Sequence, residues 1–185
     1  MNPDRLHFTG NDEADRLLAE EPLALLIGFE LDQQVTVPSA FSGPLKLQER
    51  LGSLDAATIA RMDPATLEAA FRQKPAVHRF PGNMARRVQE LCATLVDDYG
   101  GDASRVWTDA TDADDLRARI AALPGFGEMK TTSLAAVLAK RFGVETAQPL
   151  VPGHPTLADV DSPEALERYQ AAKREHKAKM RAARA

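Results

Sequence analysis

The apolar positions of the chain recur at helical spacing along most of its length. The clearest run is Val88, Leu91, Cys92, Leu95, Val96 and Tyr99, spaced i, i+3, i+4, i+7, i+8 and i+11, with Gly100-Gly101 as its stop. Pro22 opens a second run, Leu23, Leu25, Leu26, Ile27 and Phe29, which is hydrophobic on several faces and predicts a central helix. Asn11 caps a short helix ahead of it. Ser42-Gly43-Pro44 starts a helix through Leu45 and Leu51 that Gly52 stops, and Asp63-Pro64 starts another leading to Leu67 and Phe71. Thr111 or Asp112 caps a helix carrying Leu116, Ile120 and Leu123, and a further helix carries Leu134, Val137, Leu138 and Phe142 up to Gly143. No strand-like alternation is present. Val35-Thr36-Val37 is short, ends at Pro38 and reads as a helix-to-loop junction. The expected fold is all-α, a bundle of seven to nine short helices.

Between Val144 and Ser162 the pattern breaks. Pro149, Pro152, Gly153, Pro155 and Pro163 crowd this stretch and predict an irregular loop laid over helices. Ser162-Pro163-Glu164 then starts a last helix that is alanine-rich and increasingly basic, as the helix dipole prefers. The expected organisation is one helical domain over residues 1–161, two lobes sharing a core, followed by a basic C-terminal helix or tail over 162–185.

Composition narrows the function classes. Of 185 residues, 44% are hydrophobic and 27% charged, which argues against disorder. The one cysteine, Cys92, excludes an intrachain disulfide framework and any four-cysteine zinc or iron–sulfur site. The apolar run Pro22–Phe29 falls far short of the ~20 residues that span a bilayer, and the start of the chain lacks a signal-type apolar core. The expectation is a soluble cytoplasmic protein with no membrane partner. The net charge is −4, but residues 173–185 carry +5, so the other 172 carry −9. Any nucleic-acid contact made by the body must therefore use backbone amides and a few local bases.

One segment offers such amides. In Leu123-Pro124-Gly125-Phe126-Gly127-Glu128-Met129-Lys130, proline ends one helix and two glycines permit positive φ, so the chain can reverse within a few residues. A helix starting near Gly127 presents free amides and the positive end of its dipole, a site for one phosphate. The missing Cβ atoms at Gly125 and Gly127 let a nucleic-acid backbone come close. Lys130 is a candidate phosphate contact beside them.

This segment resembles the helix-hairpin-helix motif of the HhH-GPD superfamily of base-excision DNA glycosylases. Two further blocks fit that resemblance in order: Leu31-Asp32-Gln33-Gln34-Val35-Thr36-Val37, similar to the glutamine-bearing segment near the flipped nucleotide, and Phe80-Pro81-Gly82-Asn83-Met84-Ala85-Arg86-Arg87, similar to the second DNA-contacting turn. The resemblance covers about Leu23 to Gly143. It implies double-stranded DNA as partner, a monomer that is nucleoid-associated when on DNA, and contacts from Gln33, Gln34, Gly82, Arg86, Arg87, Gly125, Gly127 and Lys130. It also implies that Leu123 and Gly125 offer backbone carbonyls to a monovalent cation. A base-processing enzyme must extrude its target and fill the gap, and Gln34 has the length and the hydrogen-bonding groups to do so.

The chain departs from the family at three places. By the family's spacing from Gly127, the catalytic aspartate falls near Ala147 and Gln148, which are not acids. Among the downstream acids, Asp161 and Glu164 have capping or dipole explanations, and Asp159 is the candidate catalytic residue by position. The lysine of bifunctional members is replaced by Met129, and Lys130 stands about 100° further round the helix, so no lyase step is expected. No iron–sulfur cluster and no other cofactor is expected, and the basic final helix is either a replacement for that module's DNA contact or a solubilising tail. The reading is a monofunctional DNA glycosylase. The alternatives are a non-catalytic protein of the same fold that binds damaged or distorted DNA and, more remotely, a helical interaction module.

Overall fold

A computed structural model describes residues 2–184. They form eleven α-helices: α1 (Asp12–Glu20), α2 (Pro22–Leu31), α3 (Val37–Phe41), α4 (Gly43–Leu51), α5 (Ala56–Arg61), α6 (Pro64–Arg72), α7 (Pro81–Tyr99), α8 (Arg105–Thr108), α9 (Ala113–Ala121), α10 (Glu128–Phe142) and α11 (Pro163–Ala182). Two 3₁₀ turns, Glu145–Leu150 and Leu157–Asp159, punctuate the proline-rich stretch, and no strand occurs among the described residues. The all-α expectation holds, with a larger number of helices. The additional ones are α3, α5 and α8, of five, six and four residues, too short for a 3.6-residue period to repeat. Val37-Pro38 opens α3 on the Thr36 cap, so this segment leads from loop into helix, the reverse of the expected junction.

α2 is the axis of the fold. Every residue from Leu23 to Leu31 is buried, so α2 has no solvent face. The Phe41 ring lies against its backbone where a Cβ on Gly28 would come within 2.4 Å, so only glycine fits there. Phe41 also meets Phe8 and Phe29 edge-on, with centroids 5.1 Å apart in each case. Of the expected start signals, Asn11, Asp63, Asp112 and Ser162 each accept from an amide in the first turn that follows, as does Asp55 ahead of α5, while the Ser42 side chain makes no such bond to α4. Gly52, Gly100 and Gly143 close α4, α7 and α10 in the left-handed region. The buried apolar residues form one cluster running from Leu6 to Leu166, so the first turns of α11 join the core. Beyond Gln170 every described residue of α11 is exposed.

Candidate functional site

The C-terminal turn of α2, the start of α7 and the Leu123–Lys130 hairpin meet around a cleft of about 730 Å³. Asp32 and Gln33 line it from α2, Arg87 from α7, and Gly125, Gly127 and Lys130 from the hairpin. His154 to Thr156 of the proline-rich loop and Tyr169 and Lys173 of α11 close its other side. A second cavity of about 300 Å³ beside Trp107 and Phe142 holds one carboxyl, Glu20, and no base. The ionisable groups converge on the larger cleft.

The two hairpin glycines differ. Gly125 has φ +81°, and a Cβ there would lie 2.3 and 2.5 Å from the two carboxylate oxygens of Glu30. Conformation and packing both demand glycine at that position. Gly127 has φ −76° and ψ −176°, an extended residue at the N-cap of α10, and a Cβ there would meet nothing within 4 Å. The expected positive φ is therefore found at Gly125 and not at Gly127. No side chain caps α10, so the amides of its first turn face outward beside an open Cα.

Beneath the hairpin lies Glu30, which reasoning from sequence did not single out. Its side chain is fully buried and neither carboxylate oxygen has a hydrogen-bond partner. The nearest cation, Arg87, is 3.9 Å away. Burial pushes its carboxyl up from the usual range, against the pull of Lys130 and Arg87. Asp32, at the cleft wall, is likewise raised by burial, with Lys173 Nζ at 3.9 Å and Lys130 opposing. Lys130 donates from Nζ to the backbone carbonyl of Glu30 at 3.0 Å, and burial lowers its pKa despite Glu30 and Asp32. Lys130 is thus turned into the cleft towards Glu30, and Met129, 88% exposed, lines the same cleft at its open side. This corrects the expectation that Lys130 points elsewhere.

The glutamines divide their work. Arg87 Nη1 donates to Gln33 Oε1 at 2.7 Å. The Gln33 carbonyl lies 3.0 Å from Nε2 of the buried His78, whose Nδ1 accepts from the Phe80 amide. That pair of bonds places the proton on Nε2, which donates to Gln33, and burial holds the ring below its ordinary pKa. Gln33 is therefore anchored. Gln34 is exposed and has φ +58°, the one left-handed non-glycine residue described, held there between the anchored turn and α3.

The remaining candidates, Gly82, Arg86, Leu123 and Asp159, do not line the cleft. Gly82 is in the first turn of α7, also uncapped, where a Cβ would meet the flexible ends of Glu68 and Arg72 at 3.0 and 3.2 Å. Arg86 is exposed, bonded to Asn83 at 2.7 Å and near Glu90, outside the cleft. The carbonyl of Leu123 accepts from the Phe126 amide at 3.1 Å, which leaves it one further lone pair. Asp159 has the local employment that sequence reasoning denied it. Its carboxylate accepts from the Thr156 amide in a capping box and pairs with Lys140. Burial pushes its pKa up, but those bonds outweigh it and the net shift is downward. Thr156 lines the cleft; Asp159 does not.

The family model for HhH-GPD superfamily base excision DNA repair proteins matches residues 27–185, most of the chain and every element around the cleft. The chain belongs to this superfamily. Among solved structures, a trapped endonuclease III–DNA covalent intermediate, an estranged-adenine complex, is similar at 20% identity and a TM-score of 0.47, over 85% of this chain and 79% of that one. No curated protein matches. In this HhH-GPD chain no described helix is long and apolar enough to cross a membrane.

Proposed function

We propose that the protein is a DNA glycosylase that takes one nucleotide out of a duplex into the cleft and hydrolyses the N-glycosidic bond of a damaged base. The observation that carries this reading is the convergence, on one cleft, of an open helix N-terminus, an anchored glutamine turn and a half-buried carboxyl. The α10 and α7 amides would hold phosphates of the strand, and Gln34, projecting from the turn fixed by His78 and Arg87, would fill the vacated stack. Bond cleavage develops positive charge at the anomeric carbon. Asp32, whose carboxylate form Lys173 favours against the effect of burial, is placed to offset that charge and to take a proton from the attacking water. The bonding electrons and a proton leave with the base.

The position of Lys130 favours a second reading, in which its amine adds to the anomeric carbon and expels the base. A neutral amine is required, and burial moves Lys130 in that direction.

Duplexes carrying single defined lesions, incubated with and without borohydride, test both readings. Excision without a trapped adduct, abolished in Asp32→Asn and kept in Asp159→Asn, is the expected result. Excision lost in Asp159→Asn and kept in Asp32→Asn would return the carboxylate role to Asp159. A trapped adduct that disappears in Lys130→Gln would establish the amine route. Tight binding to lesion duplexes with no excision of any would leave a non-catalytic damage-binding protein.

A further inference from the structure

α11 enters the structure as part of the cleft and leaves it as an unaccompanied basic helix. Leu166 is buried in the core, Tyr169 packs against it at the cleft wall, and Lys173 reaches Asp32. Leu166, Gln170, Lys173, Lys177 and Arg181 are spaced i, i+4, i+7, i+11 and i+15, which keeps them on one face. At 100° per residue, Lys173, Arg174, Lys177 and Arg181 fall within an arc of about 100°, the arc that also holds Leu166 and Gln170. The side turned to the body at the start of α11, which Ala165 and Tyr169 widen in one direction, thus overlaps the side that carries the cations where the body has ended. Glu175 lies on the opposite side and pairs there with Lys179 at 2.7 Å, so it leaves the stripe uncompensated.

We infer that this stripe binds the phosphate backbone of the duplex next to the extruded nucleotide, extending the cleft into a longer DNA-binding surface; the inference rests on the DNA reading above. A solubilising tail has no need to sort its charges by face. A helix that dips one side into the nucleotide cleft and continues that side as cations does so for a polyanion that itself continues out of the cleft. From Lys173 to Arg181 the helix rises about 12 Å, a length over which one DNA strand carries three to four phosphates. The rest of the chain is net acidic, at −9 outside residues 173–185, so this helix is its main source of long-range attraction for DNA.

The test is equilibrium binding of a labelled duplex bearing an abasic-site analogue, measured across a range of salt for the native protein and for the triple variant Arg174→Gln, Lys177→Gln, Arg181→Gln. These positions are exposed and outside the cleft lining, so the fold and any excision of bound DNA are untouched. The expected result is affinity weaker by about tenfold or more near 0.1 M salt, with the slope of log affinity against log salt shallower by up to about 3. Exchanging arginine for lysine and lysine for arginine at the same positions should restore both. Unchanged affinity and slope in the triple variant, with the native protein binding DNA, would overturn the inference and leave the DNA reading standing. Binding to anionic vesicles that the triple variant loses, alongside full DNA affinity of that variant, would overturn it in favour of a membrane surface. Absence of duplex binding by the native protein would instead defeat the DNA reading, and this inference with it.

Discussion

Substituting alanine at Gly125 and at Gly127 should have different consequences, although the two residues sit one apart in the same hairpin. At Gly125 the backbone is left-handed, at φ +81°, which costs an alanine about 1–2 kcal/mol. The added methyl would also sit 2.3 to 2.7 Å from the three terminal atoms of the Glu30 carboxyl, which is fully buried. Displacing a packed interior group costs about 1–3 kcal/mol. Together these predict a loss of about 2–5 kcal/mol, or a fall in Tm of roughly 5–20 °C for a domain of this size. At Gly127 the backbone is ordinary and the space is empty, so the gain of about 0.4–1 kcal/mol through the unfolded chain is set against the N-cap preference for glycine over alanine, and Gly127→Ala should leave stability nearly unchanged. On the proposed phosphate contact, duplex affinity should nonetheless fall in Gly127→Ala, and further in Gly127→Val, because a side chain there would stand where the phosphate approaches. Urea unfolding gives the stabilities and fluorescence anisotropy the affinities. A Gly125→Ala protein as stable as native would refute the packing argument. Stable Gly127 variants that bind DNA normally would remove the hairpin from the interface.

Three further outcomes follow from the buried groups. Because the Glu30 carboxyl is raised in the folded state, its contribution is fully present below the ordinary carboxylate range near pH 4.3 and is lost as pH rises; Glu30→Gln should therefore match native stability in acid and exceed it at neutral pH, and a gap that shrinks with rising pH would contradict the assignment. His78 is held neutral with a lowered pKa, so its contribution is present above about pH 6.5 and lost as pH falls below that; His78→Gln should flatten this limb of the stability curve, and an unaltered limb would place the titration elsewhere. The Cys92 thiol is pushed up to about 12 by burial, so alkylation should proceed only at the rate of unfolding, and rapid labelling of the native protein would show that α7 opens locally.

What could be read from the sequence was what repeats or what breaks a repeat. The α7 and α10 stripes, the glycine stops and the capping residues all act locally, and each stands where its pattern put it. The direction of Lys130 was also present: Leu134 and Leu138 mark the inward row of α10, and one step of four residues back from them is Lys130, not Met129. Counting from the glycine hid this, since the side chain's direction is set by the helix it belongs to. The linkage of His78 to Gln33 spans 45 residues, and nothing in either local pattern announces it.

Glu30 was legible in another sense. An acid in the last turn of a helix apolar on every face opposes both the core and the helix dipole, and sequences keep such a residue only where something compensates it. The compensation here is incomplete: Arg87 stands at 3.9 Å, and Lys130 spends its hydrogen bond on the backbone carbonyl of Glu30, not on its carboxyl. Burial raises the carboxyl and lowers the amine, so each of the two groups under the hairpin is pushed towards its neutral form. The hairpin that would grip the phosphate rests directly on this pair through Gly125. A phosphate at the α10 amides would favour the protonated Lys130 amine and would oppose ionisation of the Glu30 carboxyl. A larger residue at Gly125 would displace the Glu30 carboxyl and the hairpin that rests on it together.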